Sequence, residues 1–232
     1  MTLAEANSTG LHGAAVVVSA VCCVRLGYTF KMSMVYLIGG APRVGKTKLA
    51  LRAVGQKPMF ALSTDAVRAS LRVMYTAEQK PALFALLAEE QLPLAESIAE
   101  QNAESRELWP AIKAFIHSNY DEGHDVLVEG IGILPALLSE LKIPYKAVFV
   151  GNTAANHVET IREHARAHNS DWLHGRDDSY IESIALFVAG FSESIRAEAE
   201  KCSLPYVDIR NDAFERSQDE ALRILFGIAA KS

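Results

Sequence analysis

Residues 40–47 read Gly40-Ala41-Pro42-Arg43-Val44-Gly45-Lys46-Thr47, the pattern GxxxxGK[ST], and directly before them stands the apolar run Met34-Val35-Tyr36-Leu37-Ile38. The apolar run predicts a buried parallel strand, hydrophobic on both faces. Gly40 lets the chain leave that strand in a tight turn, and Gly45 lets the backbone approach an anion closely. Residues 46–54 then read as a helix that starts inside the loop. The amides of such a loop, together with the helix N-terminus, form a cradle for phosphate oxygens. Lys46 reaches the β- and γ-phosphates, Thr47 is placed to ligate Mg²⁺ through its hydroxyl, and Lys48 extends the nucleotide-binding set into the first helical turn.

The rest of the chain alternates in the way this motif demands. Short apolar runs at 58–62, 124–129, 145–150 and 204–209 predict four further strands. Helical stretches are expected at 66–75, across 78–119 with breaks at Pro81, Pro93 and Pro110, at 135–141, from a Thr153 cap to about 168, at 180–202 and at 212–229. Five apolar strands alternating with helices predict an α/β fold, a parallel sheet with helices on both faces. There is no repeat and no low-complexity linker, so one domain is expected over 34–232.

The 232 residues are half hydrophobic, enough for a sizeable core, and the formal charge is -5. That balance gives no basic patch for nucleic acid. Cys22, Cys23 and Cys202 form neither a disulfide framework nor a zinc pattern, which points to a reducing, cytoplasmic setting. The apolar stretch 13–24 is too short to span a bilayer, and no membrane association is expected. Residues 1–33 are an extension, either an extra element over the domain or sequence upstream of a true start at Met32 or Met34. The second is expected, because the first strand begins at Met34.

What the cradle serves is decided by its neighbours. No DxxG follows the third strand and no NKxD occurs for guanine, which sets GTPases aside. The third strand ends in Glu129, a carboxylate able to hold Mg²⁺ through water or else a solvated strand end. Ser63-Thr64-Asp65 closes the second strand on the same sheet edge as the cradle, where ligands of open α/β sheets bind. Asp65 there can take the proton of an acceptor hydroxyl. Arg68 and Arg72 follow at i+3 and i+7 on the same helix face, and read as contacts for an anionic acceptor or as ordinary surface charge. Arg162 and Arg166 are like charges one turn apart, with Arg176 beyond them in a polar, turn-rich stretch. A lid at about 169–178 that brings three catalytic arginines onto the transferring phosphate fits this pattern. Local pairing of the first two with Glu159 and Glu163 is the competing reading.

The runs GGAPRVGKTKLA, STDAVRASLR and DVLVEGIGILP resemble the P-loop small-molecule kinases related to 2-phosphoglycerate kinase. Zeta toxins and chloramphenicol phosphotransferase are similar but more distant. The resemblance implies an adenylate-kinase-like P-loop NTPase core with strand order 2-3-1-4-5, ATP and Mg²⁺ as cofactors, a small-molecule acceptor, and the aspartate at position 65 as base. The expected activity is transfer of the γ-phosphoryl group to a hydroxyl of a small anionic metabolite, by a monomer or homodimer. The alternatives are a nucleotide-dependent switch with slow hydrolysis and a zeta-toxin-like kinase of a nucleotide sugar.

His157, His164 and His168 fall on one helical stripe, but HARAH lacks the glutamate of HExxH, and they are read as surface-helix positions. Trp109 is expected to pack, and Trp172 to pack or to stack on a base. The alanine- and glutamate-rich stretch 85–107 is read as a solvated helix with one apolar face.

Overall fold

The computed structural model describes residues 33–85, 92–154, 157–167, 171 and 173–228. The stretch 13–24, His168 and Trp172 lie outside them. Strand β1 (Val35–Gly40) is buried along its whole length, as its unbroken apolar composition requires. Strands β3 (Val126–Glu129) and β4 (Tyr145–Gly151) flank it, with Ile38 opposite Glu129 and Gly40 opposite Val150. Strand β2 (Phe60–Ser63) pairs outside β3, and β5 (Tyr206–Asp208) outside β4. All four ladders are parallel and the order is β2-β3-β1-β4-β5, the order implied by the resemblance.

Parallel neighbours need crossovers. Among the described residues the helices α1 (Lys46–Gln56), α2 (Thr64–Met74), α3 (Leu94–Asp121), α4 (His157–Ala167) and α5 (Asp178–Lys201) lie in them, and α6 (Phe214–Phe226) follows the last strand. Their ends follow local chemistry. The Ser63 side chain caps α2 by accepting from the Asp65 amide, and Asp177 caps α5 by accepting from the Tyr180 amide. In α5 the buried positions Ile181, Ala185, Val188, Phe191, Ser192, Ile195 and Ala199 recur at helical spacing and face the sheet.

Several expectations are corrected. Helix α3 runs straight through Pro110, where a break was expected. The lost backbone bond is outweighed by a buried face that includes Leu108, Trp109, Ile112 and Ile116 on both sides of the proline. The same helix is not simply solvated at its start, since Gln101, Glu104 and Ser105 are all buried. Thr153 does not cap α4. Its amide and hydroxyl both donate to Asp208, each at 3.2 Å, which ties the end of β4 to β5. Residues 135–140 form a 3₁₀ rather than an α-helical turn.

Candidate functional site

The cradle is built as its residue types demand. Gly40 has φ 129°, and a Cβ there would sit 1.8 Å from the Val150 carbonyl oxygen, so only glycine fits. Ala41 and Val44 are buried under the loop. Gly45, at φ 87°, is the N-cap of α1, which has no side-chain cap and no acid in its first turn. The first amides of α1 are therefore left to an anion. Lys46 is buried and donates to the Ala41 carbonyl across the loop. Burial lowers its pKa to about 8, against the pull of Glu129 and Asp65 and with a further push from Arg68. Helix α6 backs the loop: Gln218 Nε2 donates to the Gly45 carbonyl at 3.3 Å, and Lys48 Nζ lies 4.7 Å over the Phe214 ring while pairing with Glu215 at 2.6 Å.

Beside Lys46, the Thr47 hydroxyl donates to Glu129 Oε1 at 3.3 Å. Glu129 is buried at the end of β3, and burial raises its pKa against the opposing effect of Lys46. A hydroxyl and a carboxylate at a phosphate cradle are hard oxygen donors that fit Mg²⁺, which leans on phosphate oxygens and water for its remaining ligands. Among the described residues no cluster of three or more His, Cys, Asp or Glu is placed to hold a metal ion.

One cleft of about 1110 Å³ joins this cradle to the end of β2. Asp65, Arg68 and Arg72 of α2 line it together with Lys46, Thr47 and Glu129. The arginines are held by a residue that sequence reasoning read as solvated. Glu104 of α3 is fully buried, and its Oε1 accepts from Arg68 Nε at 2.8 Å and from Arg72 Nη2 at 2.9 Å. Gln101 Nε2 donates to its other oxygen at 3.2 Å. Arg68 also reaches Asp65 at 2.5 Å, and the Asp65 carboxylate is 70% exposed at the mouth.

At the other end of the cleft stand the N-terminal half of α4 and the β5–α6 connection. His157 is 4% exposed and lines the cleft, so the surface reading does not hold for it. Burial and the nearby Arg43 lower its pKa, and neither ring nitrogen has a hydrogen bond of ordinary geometry although Asn211 lies beside it. Asn211 instead accepts from Asn152 at 2.9 Å and donates to Thr160 at 2.8 Å. Arg43 of the cradle (φ 60°) pairs with Asp171, and the pairing holds the Asp171 carboxyl well below the usual carboxylate range. His164 Nδ1 stands 2.8 Å from the same carboxylate.

The three lid arginines stand elsewhere. Arg162 pairs with Glu159 at 2.6 Å, as the competing reading had it, and Arg166 with Asp178 at 2.9 Å. Arg176 lies over the Tyr180 ring, and none of the three lines the cleft. The residues that sequence reasoning missed are Glu104, His157 and Asp171. Only Glu104 left a signal, in the polar Gln101–Glu104–Ser105 cluster on one helical face, opposite two arginines short of a counter-ion.

No family model matches the chain, and no curated protein matches it. Among solved structures it is similar to a shikimate kinase from Bacteroides thetaiotaomicron, at 15% identity and TM-score 0.48 over 84% of this chain and 99% of that one. It is also similar to a gluconokinase from Sinorhizobium meliloti 1021, at 13% identity and TM-score 0.44 over 87% and 95%, and to a dephospho-CoA kinase from Campylobacter jejuni, at 13% identity and TM-score 0.40 over 85% and 98%. Likeness at this level identifies neither an activity nor a substrate. The class is set by the fold and the cradle themselves: a parallel α/β P-loop fold with a nucleotide-type phosphate site. Among the described residues no helix is long and apolar enough to cross a membrane.

Proposed function

We propose that the chain is an ATP-dependent phosphotransferase that moves the γ-phosphoryl group to a hydroxyl of a small anionic metabolite. The observation that carries this reading is the single cleft that joins Lys46 to Asp65, Arg68 and Arg72. Its volume suits a nucleotide together with a small acceptor.

In this reading the loop amides and Lys46 hold the nucleotide phosphates, and Thr47 and Glu129 would hold Mg²⁺. The metal would neutralise charge on the phosphate oxygens. Arg68 and Arg72 hold the anionic part of the acceptor and turn its hydroxyl toward Asp65. Asp65 takes the hydroxyl proton as the oxygen bonds to the γ-phosphorus, and the bond from that phosphorus to the β,γ-bridging oxygen breaks with its electron pair left on ADP. Because Asp65 is exposed, it can return the proton to solvent.

The same exposure, with Arg68 occupying the Asp65 carboxylate, favours a second reading, a nucleotide-dependent switch with slow hydrolysis. The test is a metabolite panel with labelled ATP on wild type and Asp65→Ala. The phosphotransferase reading expects one class of compound to take up phosphate, a loss of about 10²–10⁴ in rate for the variant, and nearly intact ATP binding. Transfer that survives the substitution removes Asp65 as the base, and hydrolysis with no acceptor used by the wild type supports the switch.

A further inference from the structure

We infer that Glu104 selects the acceptor: a hydroxy acid with one negative charge, its carboxylate held by the remaining edges of Arg68 and Arg72. This rests on the phosphotransferase reading above.

The geometry comes first. Arg68 and Arg72 are one turn apart on α2, and both donate to the same oxygen of Glu104. Arg72 Nε is also fixed on the Leu83 carbonyl at 2.5 Å. Both guanidinium planes are thereby locked before any ligand arrives. Among the described residues no acceptor meets Arg68 Nη2 or Arg72 Nη1, so each arginine keeps a donor in a cleft it lines. Paired planar donors match a carboxylate.

Charge then restricts the partner. The buried part of the wall carries two guanidinium cations and one fully buried carboxylate, a surplus of one positive charge; Asp65, which also pairs with Arg68, stands 70% exposed at the mouth, where water screens its charge. A single carboxylate cancels it. A phosphate dianion leaves net negative charge beside Glu104 and Asp65, where low polarity magnifies repulsion. A neutral polyol leaves a cation without its counter-ion. An acceptor such as 2-phosphoglycerate, with both a phosphate and a carboxylate, exceeds what the wall can balance. A buried carboxylate of this kind contributes little net stability, which fits a role in setting the wall's charge and shape.

The experiment uses the full chain, Mg²⁺ and labelled ATP with three matched series of three to seven carbons: polyols, the corresponding monocarboxylic hydroxy acids, and the phosphate esters of those acids. The hydroxy acids are expected to lead both other series in kcat/KM by about 30-fold or more. Glu104→Gln keeps an oxygen for the arginines but adds one unit of positive charge. It should shift preference toward the phosphate esters by about tenfold, through the KM of the acceptor rather than that of ATP. Arg72→Gln, which removes one cation, should shift preference toward polyols, and it serves if Glu104→Gln does not fold. A wild type that prefers phosphate esters or polyols, or variants that leave the ratios unmoved, overturns the assignment and leaves the phosphotransferase reading standing. If no series takes up phosphate while ATP binds, the phosphotransferase reading fails and the assignment with it.

Discussion

Arg43 and Asp171, 128 residues apart in sequence, form a two-pronged ion pair, Nη1 to Oδ1 at 3.0 Å and Nη2 to Oδ2 at 2.6 Å. Both side chains are largely shielded from water, with 12% and 4% exposed. The pair ties Asp171 to the phosphate cradle.

A nucleotide phosphate must compete with Asp171 for Arg43. Asp171→Asn is expected to tighten ATP binding by about three- to tenfold, since it removes the charge that holds the guanidinium. In an Arg43→Ala background the same substitution should leave affinity unchanged. Titration calorimetry on the four proteins reads the coupling, and independent effects would remove Arg43 from the phosphate site.

Lys46 gives a pH dependence of defined sign. Its folded pKa of about 8 lies below the ordinary lysine value of 10.5, so burial of the charged form disfavours folding below pH 8. As pH rises from about 8 toward 10.5 the folded state sheds this proton before the unfolded state does, and this group's contribution to stability improves. ATP affinity should move the other way, falling about tenfold per pH unit above 8, because phosphate needs the ammonium. Lys46→Met should abolish both trends.

Glu129→Gln tests the proposed Mg²⁺ site. The substitution keeps an acceptor for Thr47 and removes the charge. The Mg²⁺ concentration for half-maximal ATP turnover is expected to rise about tenfold or more, with metal-free ATP binding no weaker.

Gly40→Ala tests the cradle's backbone. The added methyl would meet the Val150 carbonyl oxygen, a backbone atom fixed in the central ladder, at a φ of 129°. A loss of about 3 kcal/mol or more in urea unfolding is expected. Gly55→Ala, inside α1 with nothing within 4 Å of the new methyl, is the control and should raise stability by up to about 1 kcal/mol.

The fold was legible because its signals are local. Each strand is a contiguous apolar run, and the cradle's eight residues carry their own geometry. Arg68 and Arg72 were legible as a pair, since helical spacing alone puts them on one face. Glu104 was not, because it lies 36 and 32 residues from its two partners and its burial depends on how α3 packs on α2. His157 looked like surface from its stripe, yet tertiary packing at the mouth of β4 covers it. The lid arginines illustrate the opposite case: the carboxylates Glu159 and Asp178 were in plain view, and the structure gives the arginines to them.

The strand order β2-β3-β1-β4-β5 has a consequence for how such a protein can change. With the cradle strand in the centre, the arginine wall hangs from β2 and α3 on one flank, while His157 and Asn211 hang from β4 and β5 on the other. The two flanks stand on opposite sides of the cradle, and behind it α3 packs against α5. On the proposed reading, a handful of exchanges on α2 and α3 should therefore retarget the acceptor while the cradle strand and its loop stay as they are.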